Sequence, residues 1–234
     1  MIKIVHLYYD LLNLYGENGN ILAIKDYLEN NKIDYQIDFK TINENIKFND
    51  YDLIYVGSGT EENILLCIND LNKYQKDLKK YLADNKYIIA TGNANILFGN
   101  TYTTLNKEVI KCTQLFNYDA KETPFRTVGE QLYKDQNNQK IIGFLNHQVA
   151  FKNYDSNLFK VIHGNGYHPH KHGEGFNYKN FYGTLLIGPF LIRNPYFTQK
   201  LIDTFLKEHQ LTSKNYINKN SIKAYETYLK LFYK

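Results

Sequence analysis

The chain has 234 residues, a formal net charge of +4 and 43% hydrophobic residues, which is enough for one large domain with a substantial core. Its 28 basic and 24 acidic residues are mixed along the chain, so we expect no basic face for nucleic acid. The two cysteines, Cys67 and Cys112, lie far apart and indicate neither a disulfide framework nor a zinc site. No signal peptide and no apolar run of about 20 residues is present, so we expect a cytoplasmic protein without membrane insertion.

Strand-like and helix-like segments alternate through the first half of the chain, as in a parallel sheet with crossover helices. Because such crossovers are right-handed, ligands are expected beyond the carboxyl ends of the strands. Two loops fall there, beginning at Gly57 and Gly92. The predicted strands are 3–8, 34–39, 52–56 and 87–91, and the predicted helices are 20–30, 61–69, 71–84 and 94–98.

From about residue 107 the pattern changes to short β runs separated by turns, which predicts an antiparallel extension of the fold. A buried strand, a helix, a polar linker and a terminal helix with one apolar stripe follow. We therefore divide the chain into a domain over 1–209 and a linker with a C-terminal helix over 210–234. The predicted segments are β runs 109–112, 126–133, 140–145 and 158–163, strand 181–187, helix 196–208, linker 210–220 and helix 221–232.

The segment from Tyr87 to Gly99 predicts a buried strand that turns into a helix without an intervening loop. In α/β hydrolytic folds such an elbow holds a nucleophilic Ser or Cys in a strained, exposed conformation. The apex residue here is Gly92, which tolerates positive φ and carries no nucleophile. The backbone of a nucleophile site is thus predicted without the nucleophile.

Few residues near the elbow could replace the missing nucleophile. Thr91 should point to the opposite side of the strand and pack inside, and the Ser58 hydroxyl is expected to bond the backbone of its own loop. Cys67 lies among apolar residues and is expected to be a buried small hydrophobe. The four histidines between His163 and His172 predict a surface loop in preference to a metal site. We expect no metal and no cofactor.

Four stretches, in order along the chain, resemble motifs of the class I glutamine amidotransferases of the cobyric-acid-synthase type, and most closely the glutaminase subunit of lipid II isoglutaminyl synthase. The resemblance implies an α/β, flavodoxin-like fold, with a parallel or mixed sheet flanked by helices, an antiparallel β extension and a C-terminal helix. The stretches are Leu12-Asn13-Leu14-Tyr15-Gly16-Glu17-Asn18-Gly19-Asn20-Ile21, Val56-Gly57-Ser58-Gly59-Thr60-Glu61, Gly143-Phe144-Leu145-Asn146-His147 and Gly183-Thr184-Leu185-Leu186-Ile187-Gly188-Pro189.

The mechanism that the resemblance implies needs a cysteine at the elbow, which attacks the glutamine carboxamide and releases ammonia, and a histidine that moves the proton. Backbone N–H groups of the glycine-rich loop stabilise the oxyanion. In this chain Gly92 stands at the cysteine position and Ile187 at the histidine position. Asn93 replaces a glycine of the family, and Leu145 replaces a glutamate.

The same motifs imply a cleft for an amino-acid-like ligand, in which Arg126 matches the family's arginine implicated in substrate binding. Near it we expect Leu145, Val149 and Phe151 to occupy positions that are polar in an active pocket. The residues expected to bind the ligand are Gly57, Ser58, Gly59, Asn93, Arg126, Asn146 and His147.

Three functions remain open from the sequence. The first is a degenerate, non-hydrolysing subunit that binds a Mur-ligase-like ATP-dependent partner. The second is an active glutaminase that supplies ammonia to such a ligase for peptidoglycan stem-peptide amidation. The third is a free-standing ligand-binding or scaffold protein. Gly92 and Ile187 favour the first.

Overall fold

The computed structural model describes residues 1–233. Within them the strands are β1 (Ile2–Leu7), β2 (Tyr35–Lys40), β3 (Leu53–Val56), β4 (Tyr87–Thr91), β5 (Thr101–Thr103), β6 (Val109–Lys111), β7 (Asp119–Lys134), β8 (Lys140–Lys152), β9 (Phe159–His163), β10 (Gly173–Glu174), β11 (Phe176–Tyr178) and β12 (Phe181–Thr184). The α-helices are α1 (Asn18–Asn30), α2 (Glu61–Leu71), α3 (Gln75–Ala83), α4 (Phe190–Arg193), α5 (Pro195–Glu208) and α6 (Lys219–Leu229).

The first sheet has six strands in the order β11-β12-β4-β3-β1-β2. Its pairs are parallel except for β11, which runs antiparallel to β12. Every residue of β3 and β4 is buried. Continuous apolar strands of this kind are typical of a parallel sheet covered on both faces. The predicted alternation of strands and helices in the first half of the chain is confirmed.

The second sheet is the predicted extension, and β7 and β8 dominate it as a long antiparallel pair. The predicted runs 126–133 and 140–145 were too short, since β7 already begins at Asp119 and β8 continues to Lys152. The β7–β8 register shifts between Glu122 and Thr127, so β7 bulges there. A bulge bends its strand and redirects a side chain, and here the bulged segment contains Arg126.

The C-terminal segment crosses α1 before the last helix. The backbone N–H of Lys214 donates to Asn31 Oδ1 over 2.6 Å, and the hydroxyls of Ser213 and Tyr27 are 2.9 Å apart. Helix α6 then buries Tyr225 against Leu132 and Ile142 of the second sheet. The predicted terminal helix is therefore present, although the boundary at residue 209 stays a prediction. Among residues 1–233, no helix is both long and apolar enough to cross a membrane.

Candidate functional site

The predicted elbow is present at the end of β4. Thr91 is extended, and Gly92 follows with φ +59°. The residues after it, Gly92–Phe98, form a short 3-10 helix and not the predicted α-helix. One cause is Asn95, whose side-chain Nδ2 donates to the Gly92 and Thr184 carbonyl oxygens, at 3.0 Å each. Such a side chain competes with the backbone bonds that would continue an α-helix.

The space beside Gly92 is filled. A Cβ added to Gly92 would lie 2.5 Å from Ser58 Cβ and 2.9 Å from Ile187 Cγ2, and it would also contact the Ser58 hydroxyl. Ser58 and Ile187 are each 2% exposed. Ile187 is held by its backbone N–H, which donates to the Phe144 carbonyl oxygen over 3.0 Å. The position that a nucleophile's side chain would occupy is thus bordered closely by the Ser58 and Ile187 side chains. We call this space the elbow chamber.

Asn93 ties the glycine-rich loop to the elbow. Its Oδ1 accepts from the Gly59 backbone N–H and from the Ser58 hydroxyl, each over 3.0 Å. Its Nδ2 donates to the Gly59 carbonyl oxygen over 2.7 Å. The sequence predicted that the Ser58 hydroxyl bonds the backbone of its own loop. This prediction is wrong, because the hydroxyl donates its hydrogen bond to the Asn93 side chain.

A buried carboxyl lies behind the elbow. Glu17 Oε2 accepts from Tyr55 over 2.6 Å and from Asn20 over 3.1 Å, and it also accepts from Thr91. Burial raises the Glu17 pKa, and these hydrogen bonds oppose the rise. The opening loop approaches closely because Gly57 lacks a side chain, whose Cβ would lie 2.7 Å from Glu17 Cβ.

An open cleft of about 300 Å³ lies next to the elbow chamber. Arg126 crosses it, donating to Glu61 Oε1 over 3.0 Å and to Asn146 Oδ1 over 3.2 Å. The Arg126 and Glu61 side chains are 38% and 32% exposed, so both charges remain accessible to a ligand. Tyr15 lies at the same cleft, where burial raises its pKa. The lining is Leu14, Tyr15, Gly59, Thr60, Glu61, Asn93, Arg126 and Asn146. We call this the recognition cleft.

Of the seven residues predicted to bind a ligand, the recognition cleft brings together Gly59, Asn93, Arg126 and Asn146. Gly57 and Ser58 lie behind this lining, and His147 faces the opposite side of β8. Side chains alternate along a strand, so Asn146 and His147 cannot share a face. His147 is 4% exposed, and burial lowers its pKa to about 4.

The same alternation corrects a second prediction. Leu145, Val149 and Phe151 were expected to replace polar pocket residues, but all three belong to the hydrophobic core. They share the inner face of β8 with His147. Phe151 stacks on Tyr154 with ring centroids 4.5 Å apart. These side chains therefore do not alter the recognition cleft directly.

The remaining candidates lie outside both spaces. The Thr91 hydroxyl is buried and bonded to Tyr55 and Glu17, as predicted for an inward side chain. Cys67 is fully buried, as predicted, and burial raises its pKa. Burial also raises the pKa of Cys112 to about 12. His170 and His172 are exposed in the loop that follows β9.

Sequence reasoning missed half of the cleft lining, namely Leu14, Tyr15, Thr60 and Glu61. Two signals pointed to these residues. Leu14 and Tyr15 belong to the opening-loop motif, and Glu61 directly follows the glycine-rich loop at the start of α2. Thr60 caps that helix, its hydroxyl accepting from Asn63 N over 3.1 Å.

The fold and the elbow define an α/β protein with the frame of a glutamine amidotransferase. The CobB/CobQ-like glutamine amidotransferase domain matches residues 3–195. The chain belongs to this family. The match includes β1 to α4 and therefore both the elbow chamber and the recognition cleft.

Two curated relatives extend over most of the chain. The chain is 29% identical over 211 residues to the lipid II isoglutaminyl synthase (glutamine-hydrolyzing) subunit GatD of Streptococcus pneumoniae (strain ATCC BAA-255 / R6), covering 88% of this chain and 81% of the relative. It is 26% identical over 202 residues to the subunit of the same name from Staphylococcus aureus (strain N315), covering 86% and 83%.

Solved structures support the fold. A glutamine amidotransferase from Thermotoga maritima superposes with a TM-score of 0.51 and 10% identity, over 89% of this chain and 83% of the other. A second glutamine amidotransferase gives a TM-score of 0.54 and 12% identity, over 87% and 97%. At such identities the likeness concerns the fold alone.

Proposed function

We propose that this chain is a non-hydrolysing glutamine-amidotransferase-like subunit, which retains partner binding and amino-acid recognition without glutamine hydrolysis. One observation carries the proposal. At the apex of the elbow, Gly92 has no side chain, and the adjoining space is filled by Ser58 and Ile187.

Hydrolysis of a carboxamide through a covalent intermediate needs a nucleophile and a group that accepts and returns its proton. Glycine supplies no nucleophile, and the aliphatic side chain of Ile187 moves no proton. Removing members of such a catalytic unit costs on the order of a millionfold in kcat in a well-studied hydrolase. We therefore expect glutamine turnover to lie about six orders of magnitude below that of an active glutaminase.

Ser58 is the nearest hydroxyl, and its environment argues against a substitute nucleophile. The Ser58 hydroxyl donates a hydrogen bond to Asn93 Oδ1, an amide oxygen that is not a base at neutral pH. A serine needs an adjacent general base to attack a carbonyl. Ile187 stands on the other side of the same space.

The recognition cleft keeps the features that suit an amino acid. Arg126 presents a guanidinium for an α-carboxylate, and Glu61 presents a carboxylate for an α-ammonium group. Both charged groups lie at the wall of the cleft. The carboxylate of a bound amino acid can therefore contact Arg126, and its ammonium group can contact Glu61. This supports binding of an amino-acid-like ligand close to Arg126.

Similarity to two proteins named as subunits of a lipid II isoglutaminyl synthase supports a role within a complex. In our proposal the partner is a Mur-ligase-like ATP-dependent protein, and cell-wall amidation is the pathway. The second candidate function is active hydrolysis within the same complex, which the relatives' names favour and the residues at the elbow oppose.

The test is co-expression with a Mur-ligase-like protein from the same genome, followed by size exclusion at micromolar concentration and an assay of ammonia and glutamate release. We expect co-migration, and release from glutamine no faster than with heat-denatured complex. Ser58→Ala should change neither result. Release that requires the native chain would contradict the loss of hydrolysis, and separate migration would favour a free-standing protein.

A further inference from the structure

The glycine-rich loop presents a set of groups that a primary carboxamide complements. The Ser58 hydroxyl and the Gly59 N–H are two donors, and the Gly59 carbonyl oxygen is an acceptor. A primary amide has one oxygen that accepts two hydrogen bonds and one NH₂ group that donates. The three groups therefore form a small carboxamide-binding subsite at the inner end of the recognition cleft.

Asn93 already fills this subsite. All three bonds go to its side chain, at 3.0, 3.0 and 2.7 Å. The orientation of its amide is fixed, because a backbone N–H can only donate and a backbone carbonyl can only accept. Asn93 is 8% exposed and borders the open cleft, so its carboxamide lies between the loop and any ligand at Arg126.

We infer that Asn93 is an internal occupant of the carboxamide subsite, which prevents the cleft from receiving the side-chain amide of glutamine. This inference rests on the proposed function, since it concerns what the non-hydrolysing cleft binds. The donors and acceptor of the loop are satisfied within the chain, so a ligand amide gains nothing there unless Asn93 leaves. The cleft accordingly recognises the α-carboxylate and α-ammonium groups and is indifferent to a side-chain amide.

The contact differs from ordinary loop bracing in its chemistry. The side chain of Asn63, in α2, donates to a single carbonyl oxygen, that of Leu11, over 2.8 Å. Asn93 instead bonds a donor and an acceptor of one residue together with a neighbouring hydroxyl. Asparagine and glutamine carry the same carboxamide group, so the two compete for the same bonds.

The test compares binding of glutamine and alanine by the full chain, using calorimetric titration. These amino acids share the α groups and differ in the amide. For the native chain we expect a glutamine-to-alanine affinity ratio near one. In Asn93→Gly, which frees the three loop groups, the ratio should rise by about tenfold or more. Asn63→Gly is the matched control, since it removes the same side chain from a residue outside the cleft lining and leaves the subsite occupied.

A ratio that rises equally in Asn63→Gly, or that does not rise in Asn93→Gly, would overturn the inference. Selective glutamine binding by the native chain without ammonia release would also overturn it and leave the proposed function intact, whereas ammonia release would overturn the proposed function. A second measurement needs no variant. The Gly59 amide should exchange slowly with solvent in the native chain, and rapid exchange typical of an open loop would contradict an occupied subsite.

Discussion

The elbow chamber and the recognition cleft are adjacent, yet they differ in almost every physical respect. In the chamber, Ser58 and Ile187 each lie close to Gly92, and both are buried from solvent. The cleft holds an accessible ion pair between Arg126 and Glu61 in a space of about 300 Å³. The residues around Gly92 are thus packed as core, while the neighbouring cleft is open and charged.

The elbow chamber and the recognition cleft are built by different parts of the fold. Arg126 is placed by the bulge in β7 and faces solvent, so its position does not require a nucleophile at the elbow. The chamber depends on close packing among the chain segments that contain Ser58, Gly92 and Ile187. Adding a single carbon atom there is therefore destabilising. We therefore expect substitutions in the chamber to affect stability and substitutions in the cleft to affect binding.

The largest effect is expected for Gly92→Cys. The new Cβ would meet Ser58 and Ile187 at a φ of +59°, so strain and overpacking act together. We expect a loss of about 4 kcal/mol in unfolding free energy, measured by urea denaturation. Gly16→Ala is the matched control, because its φ is +78° with no atom within 4 Å. Its loss should be about 1–2 kcal/mol.

Equal losses for Gly92→Cys and Gly16→Ala would mean that the chamber is not closed. The double variant Ser58→Gly/Gly92→Cys sharpens the comparison, since it removes the nearest obstacle. It should be more stable than the Gly92→Cys variant by about 1–2 kcal/mol. A double variant as unstable as Gly92→Cys alone would show that Ser58 is not the main steric obstacle to the cysteine side chain.

The next effect concerns pH and the buried carboxyl of Glu174, which lies in β10. Burial raises the pKa of Glu174 to about 7, although Thr184 and the Leu185 N–H donate to it. The native state therefore binds this proton more tightly than the unfolded state, whose pKa is near 4.5. The resulting stabilisation is complete below pH 4.5 and is lost as the pH rises to about 7.

Glu174→Gln should remove this dependence. The stability of the native chain relative to Glu174→Gln should fall by on the order of 3 kcal/mol between pH 4.5 and pH 7, measured by denaturation at each pH. Burial lowers the pKa of His6 and His147 to about 4, which gives the opposite slope, but both histidines are present in both proteins and cancel. A difference that does not vary with pH would show that folding does not raise the pKa of Glu174.

A smaller effect is expected at the recognition cleft. Arg126→Ala removes the cation that meets an α-carboxylate, so alanine should bind at least tenfold more weakly in calorimetric titration. Lys121→Ala removes an exposed cation from the same strand, outside the cleft, and should bind alanine as the native chain does. A uniform loss in both variants would indicate attraction by overall charge and no specific contact.

The smallest effect should be that of the cleft ion pair on stability. Glu61→Gln breaks a pair that is about one-third exposed on both sides, and solvent screens most of its attraction. We expect a change below about 1 kcal/mol in unfolding free energy. A loss comparable to that of Gly92→Cys would erase the distinction between a packed chamber and an open cleft.

Local sequence patterns predicted the backbone of the site better than its side-chain contacts. The apolar run at residues 87–91 and the glycine after it specified both β4 and the positive φ, because each depends on neighbouring residues. The Asn93 bonds join residues 34 or 35 positions apart and follow only from the assembled fold. Leu145, Val149 and Phe151 were misplaced because the motif placed them near the cleft, while strand alternation decides which face they occupy.

The most direct test of the central claim is covalent labelling with a glutamine-like chloroketone, which alkylates a nucleophile at an amide-cleaving site. Intact mass and peptide mapping should be measured on the Cys67→Ala/Cys112→Ala variant, so that no thiol contributes. We predict no adduct on any residue of the elbow chamber or the recognition cleft. A stoichiometric adduct at Ser58 or another residue there, prevented by excess glutamine, would contradict the account.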